Sequence, residues 1–198
     1  MARRARGTEG AVYVEFLIVF MPLFTFFMCM VQLALLEGAG LVVQHAANRG
    51  ARAAIVVSDD DPANYPGDRN PNQRKINGCN GRMSDVGGGE LNAFVSGGGR
   101  NPSSRCGCVE AAVGIPLLTL APGGEDAGSW TVSHTKVRVN DPGRGASGRG
   151  MIHVDVDYEM ECYIPVARDV MNMCGRDGRI VIHRRAQLPR HGADYDYP

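Results

Sequence analysis

Apolar residues fall along this chain in three regimes. From Phe16 to Leu36 the sequence reads FLIVFMPLFTFFMCMVQLALL, without a formal charge. A helix of that length spans roughly 30 Å, about one bilayer core. Beyond it, Ala39, Val42, Val43, Ala46, Ala47, Gly50, Ala53 and Ala54 recur at roughly helical spacing, so the helix is expected to continue to about Val57. This small face suits close packing, on the protein's own sheet or on a neighbouring helix, the first being the plainer expectation. Gly38 and Gly40 are poor helix formers and predict a bend just after the apolar run. Pro22 removes a backbone hydrogen bond and predicts a kink within it.

The second regime, residues 58–129, holds 14 of the 26 glycines and six of the 11 prolines. Ser58-Asp59-Asp60-Asp61-Pro62 ends the helix. Three aspartates raise the question of calcium, but the Asp-x-Asp-x-Asp-Gly spacing is absent, so turn and capping duty is expected. A short helix is predicted over Asp85–Val95, despite Gly87-Gly88-Gly89. Another is predicted from a cap at Ser103 or Ser104 to about Leu120, interrupted by Pro116.

The third regime alternates. Met151 to Tyr163 places Ile152, Val154, Val156, Tyr158, Met160 and Cys162 on one face, and His153, Asp155, Asp157, Glu159 and Glu161 on the other. Arg179 to Leu188 reads as a strand with Ile180, Ile182, Ala186 and Leu188 in phase, and Arg179, His183 and Arg185 opposite. Trp130 to Val139 reads as a third strand, its phase slipping between Val132 and Val137 as if bulged. An acidic strand beside a basic one predicts cross-strand pairs on a solvated face. The apolar face needs a cover, and the helix extension is the natural one. The fold class is therefore α+β: a long N-terminal transmembrane helix on a small antiparallel sheet of three to four strands, with a Gly/Pro-rich insert. The segments run 1–10, 11–57, 58–129 (insert), 130–190 (sheet) and 191–198 (tail).

Charge refines this layout. Lys plus Arg and Asp plus Glu each total 21, so the formal net charge is zero and there is no electrostatic case for nucleic acid. Arg3, Arg4 and Arg6 precede the apolar run, and no Lys or Arg follows it until Arg49. That asymmetry predicts a cytoplasmic N-terminus and the remainder outside. The run is too long for a cleaved secretory signal, and Leu36-Glu37-Gly38 is a poor cleavage site.

Most candidate chemistry dissolves on inspection. Gly143-Arg144-Gly145-Ala146-Ser147-Gly148 matches G-x-G-x-x-G, but it joins two strands and reads as a hairpin loop. His153 and His183 share a polar face without a third ligand at recognisable spacing. No enzyme, cofactor or metal is expected. Glu15 is different, because a carboxylate beside hydrocarbon is costly unless paired or interfacial. If the chain were cut after Gly10, Ala11 would gain a free amine four residues before Glu15, on the same helix face. The two charges could then pair within a chain or between neighbours; the alternative is a Glu snorkelling at an ordinary anchor.

The basic leader, Gly10, and Glu15-Phe16 opening an apolar helix with Pro22 a short way in resemble a class III prepilin signal. The segment Gln44-His45-Ala46-Ala47-Asn48-Arg49-Gly50-Ala51-Arg52-Ala53-Ala54 resembles the A-x-x-x-A-R-x-G-A-R stretch of TadE-like proteins. These are minor pilins, or pseudopilins, of tight-adherence (Tad, type IVc) pili, and the resemblance covers residues 7–56. It implies that residues 1–10 are a prepilin leader, removed by a prepilin peptidase between Gly10 and Ala11. It implies roles for Glu15 and Phe16 in assembly, and insertion in the inner membrane beside other pilins and pseudopilins. The part beyond the membrane is longer and richer in cysteine than in many relatives. The competing reading is a single-pass membrane-anchored binding or adhesion module, with 58–129 facing the ligand.

Outside the membrane thiols oxidise, so disulfides are expected. Cys29 lies in the apolar run, and the other five are Cys79, Cys106, Cys108, Cys162 and Cys174. Cys162–Cys174 would close the turn between two strands, leaving Cys79 to join Cys106 or Cys108. The competing arrangement ties Cys162 to Cys106 or Cys108. Each bridge is worth about 3 kcal/mol against the loop entropy of the insert.

Overall fold

The computed structural model describes residues 9–68, 76, 79–99, 102–122, 126–141, 150–164, 174–175 and 177–190. The expected leader up to Thr8, the Gly143–Gly148 loop and the 191–198 tail lie outside them. Helix α1 runs over Glu9–Asp59, two residues past the expected end. It passes through Pro22 and through Gly38 and Gly40 without interruption. Gly40 leaves room for a side chain: a Cβ there would lie 2.7 Å from Nη2 of Arg184, whose guanidinium occupies the space.

The chain divides into two compact units, Met1–Glu37 with Glu161–Ile180, and Gly38–Met160 with Val181–Pro198. In the first, the apolar positions from Tyr13 to Met30 are largely exposed, as a helix long and apolar enough to cross a membrane requires. Gln32 is the exception, 2% exposed, and its Oε1 accepts the Ile164 N–H at 3.3 Å. The N–H of Cys162 donates to Gly178 O, and that of Gly175 to Arg179 O, both at 2.9 Å. Cys162 is bonded to Cys174, with Cα atoms 6.5 Å apart.

The second unit holds the rest of α1, a four-stranded antiparallel sheet and three short helices. Strands β1 (Asn80–Arg82), β2 (Thr135–Asn140), β3 (Met151–Glu161) and β4 (Arg179–Pro189) lie in sequence order, the last residue of β3 and the first two of β4 counting with the first unit. The register pairs Val137 with Val156 and Val139 with Val154. β1 comes from the Gly-rich insert, where no strand was expected. It is only three residues long and lacks alternation, so it is held by pairing with β2.

The strand expected over Trp130–Val139 is corrected. Its first half is helix α4 (Ala127–His134), and only the second half is β2. Asp126 caps the helix by accepting the Gly128 N–H at 3.1 Å. Val132 packs beside Val86, Leu91 and Ala111. The phase slip is therefore a helix-to-strand junction and not a bulge. The two helices of the insert are α2 (Gly88–Val95) and α3 (Arg105–Leu117). Ser104 caps α3 by accepting the Gly107 N–H at 2.9 Å. Pro116 sits in its last turn, which tightens into a 3-10 turn over Leu118–Leu120. Gly88 and Gly128 bring α2 and α4 into backbone contact: a Cβ on Gly88 would lie 2.5 Å from Ser129 N.

The core forms where the small face of α1 meets α3 and β3. Val43, Ala46, Ala47, Ala51 and Ala54 are fully buried, as are Val109, Val113, Ile152, Val154 and Val156. The small face is thus covered within the chain itself. At Gly50 the approach is closest: a Cβ would lie 2.5 Å from Val113 Cγ2 and 3.3 Å from Val154 Cγ1. Overpacking a filled core costs about 1–3 kcal/mol. Gly50→Ala is expected to destabilise the unit by that amount, read as a lowered unfolding midpoint of the detergent-solubilised protein. A midpoint equal to that of the wild type would show that Val113 moves aside freely.

Candidate functional site

The N-terminal turns of α1 carry the residues singled out by the sequence. Gly10 and Ala11 lie in its first turn, and Ala11 and Glu15 are one helical step of four apart. Glu15 is exposed, and Phe16 is 60% exposed. Phe16 stacks on Phe20 with centroids 5.3 Å apart, and Phe20 on Phe24 at 5.7 Å. Rings four residues apart stack along a helix because their Cβ atoms lean the same way. The result is a helix start with one exposed carboxylate and an aromatic ridge directly after it.

The second unit is held by polar groups that local patterning does not reveal. Arg190, 4% exposed, donates to Ser58 O at 3.1 Å, Asp59 Oδ1 at 2.9 Å and Asp141 Oδ1 at 3.2 Å. The last turn of α1 contains no basic residue. A cation from the far end of the chain therefore meets its free carbonyls and the negative end of its dipole. Arg105, 1% exposed, pairs with Asp68, which also accepts the Arg105 N–H at 2.8 Å. Asp60 and Asp61 serve the turn after α1: Asp60 accepts from Tyr65 Oη at 2.8 Å, and Asp61 from Ala63 N at 3.0 Å. Burial and that contact with Asp60 push the Tyr65 hydroxyl well above the usual phenol range.

Glu110 is 1% exposed on α3, yet it faces three backbone donors, the N–H groups of Ser84 (3.1 Å), Asp85 (2.9 Å) and Val86 (3.1 Å). Burial raises its pKa, and the backbone donors pull it back. Cys79 is bonded to Cys106, with Cα atoms 5.4 Å apart. Cys108 and Cys29 are free and half-buried. Burial pushes the Cys108 thiol up, with Asp68 and Asp60 adding to the effect.

The polar face of the sheet is a charge ladder. Asp155 pairs with Arg185 at 2.5 Å, Asp157 with Arg138 at 2.6 Å and with His183 at 2.5 Å, and Glu159 with Lys136 at 3.1 Å. Acids of β3 are thus paired from both neighbouring strands, β4 as the pattern predicted and β2 in addition. His183 belongs to this ladder, whereas Nδ1 of His153 is buried without a partner. Among the described residues no group of three or more His, Cys, Asp or Glu is placed to hold a metal ion.

Residues 10–52 match the family model described as TadE-like protein. The match begins at Gly10, takes in Glu15, Gln32, Gly40 and Gly50, and ends at Arg52. No curated protein and no solved structure matches the chain. The similarity to TadE-like proteins therefore lies within α1, from its first turn to Arg52.

The ladder has a pH consequence. The hydrogen bond from Arg185 holds the Asp155 carboxyl below its usual range, and the one from Lys136 does so for Glu159. A carboxyl with a depressed folded pKa adds stability above its unfolded value near 4, and loses it as pH falls through the folded value. Asp155→Asn should therefore show a smaller drop in unfolding midpoint than wild type between about pH 6 and about pH 3. Identical acid limbs would mean that the Asp155–Arg185 pair is too solvated to matter.

Proposed function

We propose that the chain is a minor pilin, or pseudopilin, taking part in the assembly of a Tad-type (type IVc) pilus. The observation that carries the reading is the TadE-like match over residues 10–52, which runs from the start of α1 through its exposed apolar part into its buried small face. In this reading a prepilin peptidase removes the basic leader at Gly10, and α1 anchors the protein in the inner membrane. The arginines at 3, 4 and 6 favour a cytoplasmic N-terminus, with the sheet and insert outside. Partners are other pilins of the same pilus, met through α1.

The chemistry proposed for the N-terminus is electrostatic. Cleavage exposes an ammonium on Ala11. Glu15 is the carboxylate nearest to it along α1, and in a low-dielectric surrounding two such groups attract far more strongly than in water. A neighbour's amine meeting Glu15 would fix the depth at which a subunit enters the assembly. No group in this scheme transfers electrons or breaks a substrate bond, so the role is structural.

Two outcomes are expected. N-terminal sequencing of protein from native membranes should begin at Ala11. A mature chain beginning at Met1 or Ala2 favours the uncleaved anchor of the competing binding-module reading. Glu15→Ala should leave membrane insertion intact, because it lengthens the apolar run. It should lower the amount recovered in sheared pili by at least about tenfold, the factor that corresponds to 1.4 kcal/mol. Recovery equal to wild type would show that the carboxylate is incidental.

A further inference from the structure

The apolar run and the chain after β3 meet at a point that the hydrophobic pattern does not mark. Gln32 lies inside the run, four residues before its end at Leu36. Its side chain is buried, and its Oε1 accepts the backbone N–H of Ile164 at 3.3 Å. Side chains of a helix lean toward its N-terminus, so this contact lies deeper than Gln32 Cα itself. The end of the run is roughly 6 Å further along the axis. Residues 163 and 164 therefore stand beside helix positions that hydropathy alone assigns to hydrocarbon.

We propose that Tyr163 and Ile164 rest in the outer headgroup layer of the bilayer, so that the membrane boundary falls at Gln32 and not at Leu36. The inference rests on the membrane-spanning reading of α1 given above. Four observations carry it. Non-helical backbone is tolerated at membrane depth only where its polar groups are satisfied by protein, and Gln32 satisfies the Ile164 N–H. Tyr163 is 49% exposed, and tyrosine is the side chain that sits well where hydrocarbon meets headgroups. Arg179 follows the turn that holds this segment; its guanidinium is exposed, reaches Glu161 through Nη2 at 3.9 Å, and keeps further donors that suit lipid phosphate. The part of α1 left free, Tyr13–Val31, spans roughly 28 Å, which matches one hydrocarbon core.

The segment is shaped to stay there. The Cys162–Cys174 bond and the Cys162 N–H to Gly178 O hydrogen bond fix the residue before Tyr163. Gly178 has φ of 69°, left-handed backbone that a side chain would strain, and its N–H donates to Gly175 O at 2.9 Å. The partner is thus a lipid surface, contacted by an aromatic residue that follows a disulfide-bonded cysteine.

Depth-dependent quenching tests this. Trp130 is the only tryptophan, so Trp130→Phe provides a silent background in the full-length chain. Tyr163→Trp and, separately, Phe24→Trp then report two depths in phosphatidylcholine vesicles carrying bromines near the headgroup or deep in the tails. Trp at 163 should be quenched about twofold more by shallow than by deep bromines, as interfacial aromatics are, and Trp at 24 the reverse. If Trp at 24 is quenched and Trp at 163 is not, the inference fails while the membrane span stands. Stronger quenching of Trp at 163 by deep bromines overturns the headgroup placement. If Trp at 24 is not quenched, the span itself fails, and the inference with it.

Discussion

A single helix carries two kinds of surface, one exposed and apolar and one buried and small, and the rest of the structure follows from that. Up to Met30 α1 exposes apolar side chains all around, a surface compatible with a membrane span. From Ala39 onward the same helix buries one narrow face of alanine, valine and glycine and leaves Leu41, Arg49, Arg52 and Val56 outside. Small residues are needed there because α3 and β3 both converge on Gly50. A larger face would push two elements apart at once. The sheet's alternation, the capped helix α3 and the close approach of the insert helices are all answers to how such a thin face is to be covered.

Charge does the remaining joining. Arg190 and Arg105 are almost wholly removed from water; Arg190 meets the Asp59 and Asp141 carboxylates and the Ser58 carbonyl, and Arg105 pairs with the Asp68 carboxylate. Losing one partner from such a cluster strands a buried charge, whereas the exposed pairs on the sheet's polar face are individually weak. Glu110 belongs with the first kind. It gives the turn ahead of α2 a set of acceptors that a glycine-rich segment cannot provide for itself. The insert is therefore ordered by a few buried ionic contacts and a backbone-to-backbone helix crossing, in place of a large core of its own.

What could be read beforehand divides along the range of the forces involved. The alternation in β3 was legible because burial itself has period two there: Ile152, Val154, Val156, Tyr158 and Met160 are all buried. The extension of α1 was legible because its small residues recur at helical spacing, and the TadE-like match reaches Arg52 within it. Trp130 to His134 misled because tryptophan, threonine and valine favour strands, while the deciding cap, Asp126, lies ahead of the window. The need for a small residue at Gly40 was not legible, because the side chain that fills the space, Arg184, is distant in sequence. Arg184 itself falls in phase with Ile182 and Ala186, where an apolar residue would be expected. Gln32, Glu110 and Arg190 act on partners 24 to 132 residues away, so no local pattern announces them.

The pairing of Cys79 with Cys106 leaves a neighbour with an identical thiol only two residues away. On a formed helix, side chains two apart point roughly 200° apart around the axis, so Cys106 and Cys108 cannot face the same incoming sulfur. Discrimination between them thus requires α3 to be wound before oxidation, and a floppy precursor would sample both. Once wound, α3 also disarms the losing thiol, because burial and the aspartates beside Cys108 favour its protonated form. A protonated thiol attacks disulfides slowly. The geometry of one short helix therefore both selects the sulfur that pairs with Cys79 and keeps the neighbouring thiol in its less reactive form.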